Sequence, residues 1–215
     1  MTHVRNRLTF ASALAAAALI TGCQSGSGAD PLSLGSLTKT ADAVPDDGTD
    51  TCPLPYDLGE AAKDAGVEAE AGPGSAEEDG KPAATAEGGK RAEPGSPLAV
   101  NPGVLISCTF HIGRDDVQVH TIATREQHAI YPLAPVISSL ASLSADDVTG
   151  YVKKAAAAEA GKVVTTDNGS VASLRLKLDG EGDAALLVGS ADGESAPLTP
   201  EQLSEVTRTL AEQVQ

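Results

Sequence analysis

The chain has 215 residues and a formal net charge of −15, with 15 Lys and Arg against 30 Asp and Glu. That balance argues against nucleic-acid binding, which neutralises phosphate with clustered Lys and Arg. With no Trp, three Tyr and two Phe, the chain also lacks the rings for stacking sugars, and its core must come from Val, Leu, Ile and Ala.

The first residues read as an address. Arg5 and Arg7 precede an apolar, Ala-rich run of 13 residues from Leu8 to Ile20. As a helix that run is about 20 Å long, short of the ~30 Å hydrocarbon core, so residues 1–22 are expected to be a signal peptide rather than a span. No adjacent Arg-Arg pair is present, which favours the general secretion route. Ile20-Thr21-Gly22-Cys23 resembles the bacterial lipobox, an aliphatic and two small residues before a cysteine. The resemblance implies that Cys23 becomes a diacylglyceryl-modified N-terminus. Two acyl chains anchor a protein stably where one does not. Without residues 1–22 the chain would carry 13 Lys and Arg against 30 Asp and Glu, a net −17, so the lipid must hold it without electrostatic help.

Residues 24–50 are rich in Gly, Ser, Thr and Asp and show no sustained periodicity. Together with the lipidated cysteine they are expected to form a tether, 23–50, reaching roughly 30 Å as a flexible coil. Ser36-Leu37-Thr38-Lys39 within it matches S-x-x-K, but the accompanying K-T-G and S-D-N are missing, and the match is read as accidental. No G-x-S-x-G, H-E-x-x-H or P-loop occurs.

With Cys23 lipidated, Cys52 and Cys108 remain as a pair in an oxidising compartment, and a disulfide is expected; the alternative is two free buried thiols. In "TCPLPYDLGEAAKDAGV", Pro55 suits a helix opening, Leu58, Ala61, Ala62 and Ala65 recur at helical spacing, and Gly66 stops them. Residues 67–97 hold one Val among Ala, Gly, Glu, Pro and Lys, and are expected to be a disordered acidic insertion.

"VLISCTFHIGRDDVQVHTIAT" alternates as a hairpin does. Val104, Ile106, Cys108, Phe110 and Ile112 share one face, which Val117 and Val119 continue after a turn at "GRDD". If Ile112 pairs with Val117, His111 and His120 lie diagonally on an outer, solvated face beside Thr109 and Gln118. With His128 as the one other histidine beyond the leader, no metal site is assigned. "YPLAPVISSLASL" and "SADDVTGYVKKAAAAEAG" read as helices, the second N-capped by Ser144 and stopped by Gly161. "KVVTT", "VASLRLKL" and "AALLVGS" read as strands joined at Asn168-Gly169 and at "DGEGD", an acidic turn that lacks the full calcium-loop pattern. In "LTPEQLSEVTRTLAEQV", Thr199 and Gln202 form a capping box, Pro200 takes the first position, and Leu198 and Leu203 staple the start. Leu203, Val206, Leu210 and Val214 make its apolar stripe.

The sum is a single α+β domain over residues 51–215, with an antiparallel sheet of about five strands packed by helices on one face. "CPLPYDLGEAA", "ISCTFHI", the lipobox and the Ser/Gly tract together resemble small secreted actinobacterial lipoproteins of unknown function with sensor-like domains. The resemblance is densest over residues 51–125, with Phe110 where Trp is usual. It implies the Cys52–Cys108 bond and an envelope role, and transfers no catalytic residue or cofactor. The expected function is a membrane-anchored extracytoplasmic lipoprotein, a non-enzymatic module binding an envelope protein or small ligand. An envelope hydrolase with an unrecognised site is the alternative.

Overall fold

The computed structural model describes residues 31–45, 49, 51–74, 83–85, 98, 101–190 and 197–215. Cys23, the leader and most of the 75–100 stretch lie outside the described residues. The elements are helices α1 (Leu34–Ala43), α2 (Leu58–Asp64), α3 (Ala134–Ala141), α4 (Ala145–Ala157) and α5 (Pro200–Glu212). The strands are β1 (Ala71–Pro73), β2 (Ala83–Thr85), β3 (Gly103–Ile112), β4 (Asp115–Thr124), β5 (Val164–Thr165), β6 (Val171–Leu176) and β7 (Asp183–Ser190). All strand pairs are antiparallel, in the order β1-β3-β4-β7-β6-β5, with β2 also on the edge of β3. The α+β class is as expected, with seven strands rather than five.

The long hairpin closes tighter than its sequence suggested. Ile112 pairs with Asp115 and Phe110 with Val117, so the turn is Gly113-Arg114 alone and both aspartates belong to β4. Gly113 has φ +64, the left-handed conformation that a two-residue hairpin turn places at its first central position. The inward set of Val104, Ile106, Cys108, Phe110, Ile112, Val117 and Val119 is buried together, as the alternation required.

Helices cover both faces of the sheet, which corrects the one-face expectation. On one face the hairpin's inward set meets Leu37 of α1, Leu58 and Ala61 of α2, and Leu203, Val206 and Leu210 of α5. On the other, Ile122, Val171, Ala185 and Leu187 meet Ile137 and Leu140 of α3 and Val148, Tyr151 and Val152 of α4. Every residue of β7 is buried, as a strand covered on both sides demands. At one end of the sheet Gly169 (φ +72) turns β5 into β6 and leaves no room for a side chain, since a Cβ there would sit 2.5 Å from Pro200 Cγ at the start of α5.

Two stretches expected to be structureless contribute to the fold. Helix α1 lies inside the expected tether; Ser33 and Ser36 close a capping box at its start, and Leu37 and Ala41 are buried against β3. Burying one leucine stabilises by about 1.5–3 kcal/mol, enough to hold a capped helix of this length on the sheet. The expected insertion at 67–97 supplies β1 and β2, which pair with residues 110–112 and 105–107 of β3. Both corrections have one cause. Small and polar residues suffice where the backbone or a single leucine makes the contact.

Candidate functional site

Cys52 and Cys108 form the disulfide, with Cα atoms 5.3 Å apart and a sequence separation of 56. Cys108 is buried on the inward face of β3, and the bond ties the approach to α2 onto the middle of the sheet. Above it Tyr56 is buried with its hydroxyl 2.5 Å from Thr121 Oγ1. Burial drives the Tyr56 hydroxyl well above its ordinary pKa, only partly offset by that bond, so it stays protonated.

The opposite face carries the histidines. His120 is not solvated: it is 6% exposed, and burial lowers its pKa to about 4. Register sets Ser107 directly across from it. His120 Nε2 lies 3.1 Å from Gln118 Oε1, an acceptor, so Nε2 carries the proton and Nδ1 accepts from the Ser107 hydroxyl at 2.8 Å. His111 pairs with Asp116, four positions along β3 from Ser107. At about 3.4 Å per residue that separates the two imidazoles by roughly 14 Å, too far to share an ion. His128 lies elsewhere, on the loop after β4, at φ +73 and exposed. Among the described residues no three His, Cys, Asp or Glu side chains converge as a metal site would.

A serine hydroxyl on a neutral imidazole has the outline of a nucleophile and its base. The imidazole is nevertheless a weak base at pKa about 4, and neither depression described below touches Ser107 or His120. The contact, with the bond to Gln118, satisfies both ring nitrogens of a buried imidazole. Ser36 and Lys39, the S-x-x-K match, stand on a helix after all. Ser36 Oγ donates to Ser33 O at 2.9 Å and accepts the Ser33 N–H at 3.0 Å, so its chemistry is spent on the cap.

Asp183, the last residue of the "DGEGD" turn, is a buried carboxylate opening β7. Its Oδ1 accepts from Arg175 Nη2 and Nε at 2.8 and 3.1 Å, and its Oδ2 accepts the N–H groups of His128 and Ala129 at 2.8 and 2.9 Å. A single carboxylate thus pins the loop after β4 and holds His128 in its left-handed conformation. Sequence reasoning passed over Arg175 and Ser107, whose partners depend on the register of neighbouring strands, Ser107 across from His120 on β4 and Arg175 beside Asp183 on β7.

Two depressions remain for a ligand. The first, about 440 Å³, lies between α4 and the β5–β6 turn, with Asp146, Asp147, Asp167, Lys154 and Asn168 on its walls and Tyr151 at its base. The second, about 470 Å³, lies between α1 and the chain leading to Cys52, with Ala43, Val44, Pro45 and Pro53 as apolar walls and Lys39 at the rim. Compared with known proteins, the chain matches no family model, and no curated protein or solved structure matches it significantly.

Proposed function

We propose that the chain is a membrane-anchored extracytoplasmic lipoprotein whose folded domain is a non-enzymatic binding or interaction module of the cell envelope. The observation that carries this reading is the Cys52–Cys108 disulfide, because such bonds persist in oxidising compartments outside the cytoplasm. The leader and Ile20-Thr21-Gly22-Cys23 supply the export route and the attachment. No helix among the described residues is long and apolar enough to cross a membrane, which is compatible with attachment through lipid.

The Ser107–His120 pair is the specific observation behind the hydrolase alternative. Binding is preferred because the imidazole is buried and poorly basic, while the open depressions present polar and apolar walls without a nucleophile–base pair at hydrogen-bonding distance.

The test has two arms on the intact chain in its membranes. Labelling with a palmitate analogue is expected to mark the wild-type protein and to vanish in Cys23→Ala, which moves to the soluble fraction or stays unprocessed. An unlabelled wild-type chain removes the anchor. A fluorophosphonate probe is expected to leave Ser107 unmodified; a covalent adduct there turns the reading to the hydrolase.

A further inference from the structure

We propose that the domain docks on the bilayer with the end of its sheet that carries Tyr131, and that this end is a lipid-facing surface. The inference rests on the lipid anchor at Cys23 and adds an orientation to it.

Leu32 is already part of the domain: it is buried, and its carbonyl accepts the Asp179 N–H at 2.7 Å in the turn between β6 and β7. It lies nine positions after Cys23 in sequence. Even fully extended, nine residues reach no more than about 32 Å, whatever their conformation. On the same measure a tether ending at residue 50 could extend to about 97 Å, whereas one ending at Leu32 confines the Asp179 turn to within about 32 Å of the lipidated residue.

Register identifies what shares that end. Gly103 pairs with Thr124, Thr124 with Asp183, and Leu176 with Ala184, so the starts of β3 and β7 and the ends of β4 and β6 lie together. The loop after β4 belongs there as well, because Asp183 Oδ2 holds His128 and Ala129 by their N–H groups. This loop leads to Tyr131, which at 42% is the exposed large hydrophobic side chain among the described residues. His128 packs edge-on against it with ring centroids 5.3 Å apart. A tyrosine projecting from a rigid loop suits the membrane–water interface, where its ring meets acyl chains and its hydroxyl stays wet.

Charge separates the two ends. Around the Asp179 turn, Arg125, Lys162 and Lys177 stand against Glu126, Glu159, Asp179 and Glu181, close to balance. At the far end, the Gly113-Arg114 and Asn168-Gly169 turns and α4 bring together Asp115, Asp116, Asp146, Asp147 and Asp167 against Arg114 and Lys154, an excess of acid. A bilayer containing anionic lipid repels that end, and within a Debye length of about 8 Å it accepts the other. The ten-residue strands set the two ends roughly 30 Å apart, so contact at one leaves the other in water.

The sequence has no Trp, so Tyr131→Trp and Arg114→Trp each introduce a sole indole at an exposed position. Each full-length, lipidated variant is reconstituted into phosphatidylcholine vesicles containing phosphatidylglycerol, with and without lipids brominated near the headgroup. Flotation is read first, and chains that fail to float with the vesicles overturn the anchor and the orientation together. Among floating chains, the indole at position 131 is expected to shift to the blue and to be quenched at least about twofold more than the one at 114. Equal quenching, or a water-like spectrum at 131, overturns the orientation alone and leaves that end to a protein partner.

Discussion

His120 and Asp183 are polar groups buried from water, and each ties stability to the partners that surround it. His120 takes a proton at about pH 4 in the folded chain, against 6.5 for an unburied histidine, because burial penalises its charged form. Between those values the unfolded chain binds a proton that the folded chain refuses, so stability is complete above pH 6.5 and drains away as pH falls towards 4. The loss is about 3 kcal/mol at 1.36 kcal/mol per unit. His120→Gln should flatten this part of the profile, measured as unfolding midpoints across the window; parallel declines in both proteins would count against a buried neutral imidazole. Asp183→Ala strands the Arg175 guanidinium and two backbone N–H groups at once. Arg175 is one-third exposed and can turn to water, so the cost should sit at the low end for a broken buried pair, about 3 kcal/mol in urea unfolding. Asp183→Asn should lose less, since its amide oxygen still accepts from His128 and Ala129.

At the scale of elements, α1 is the piece that behaves least like its composition. A Gly/Ser/Thr/Asp-rich stretch carries two weak signals, Ser33 with Ser36 as a cap and Leu37 with Ala41 as a one-turn stripe, and the sheet converts them into a packed helix. Leu37→Ala tests this directly. Truncating a leucine that is 2% exposed should cost about 3 kcal/mol in thermal or urea unfolding, whereas a leucine on a free tether would cost under about 0.5 kcal/mol. The strongly patterned elements need no such rescue. α5 opens on the capping box of Thr199 and Gln202, and its stripe of Leu203, Val206, Leu210 and Val214 is buried as its spacing required. α4 begins at Ser144, whose side chain accepts the Asp147 N–H, but it ends at Ala157, before Gly161, whose N–H instead reaches Arg175 O.

Across the whole molecule, the disulfide links the α1–α2 side to the central strands. Closing a loop with a sequence separation of 56 is worth about 4 kcal/mol in the chain-entropy model. Reduction should lower stability by up to that amount and raise hydrogen exchange first in residues 52–66. The β6–β7–α5 portion should respond later, because its turns and caps are local. A non-reduced digest should contain a Cys52–Cys108 linked peptide; two freely alkylated thiols in native protein would contradict the bond.

Local chemistry carried much of this in the sequence itself. Alternation along 104–112 and 117–119 fixed which hairpin residues face inward, and caps and glycines placed α2, α4 and α5, because those signals act over one turn or one pair of residues. The continuous run "AALLVGS" also held a hint of burial on both faces that its reading as an ordinary strand passed over. Only the tertiary structure decided that helices cover both faces, that α1 and β1 belong to the domain, and that His120 is buried across from Ser107. The reason is range. A two-residue turn instead of a four-residue one slides every pairing along the hairpin, and Asp183 meets the N–H groups of His128 and Ala129 only once β7, from much later in the chain, lies beside β4.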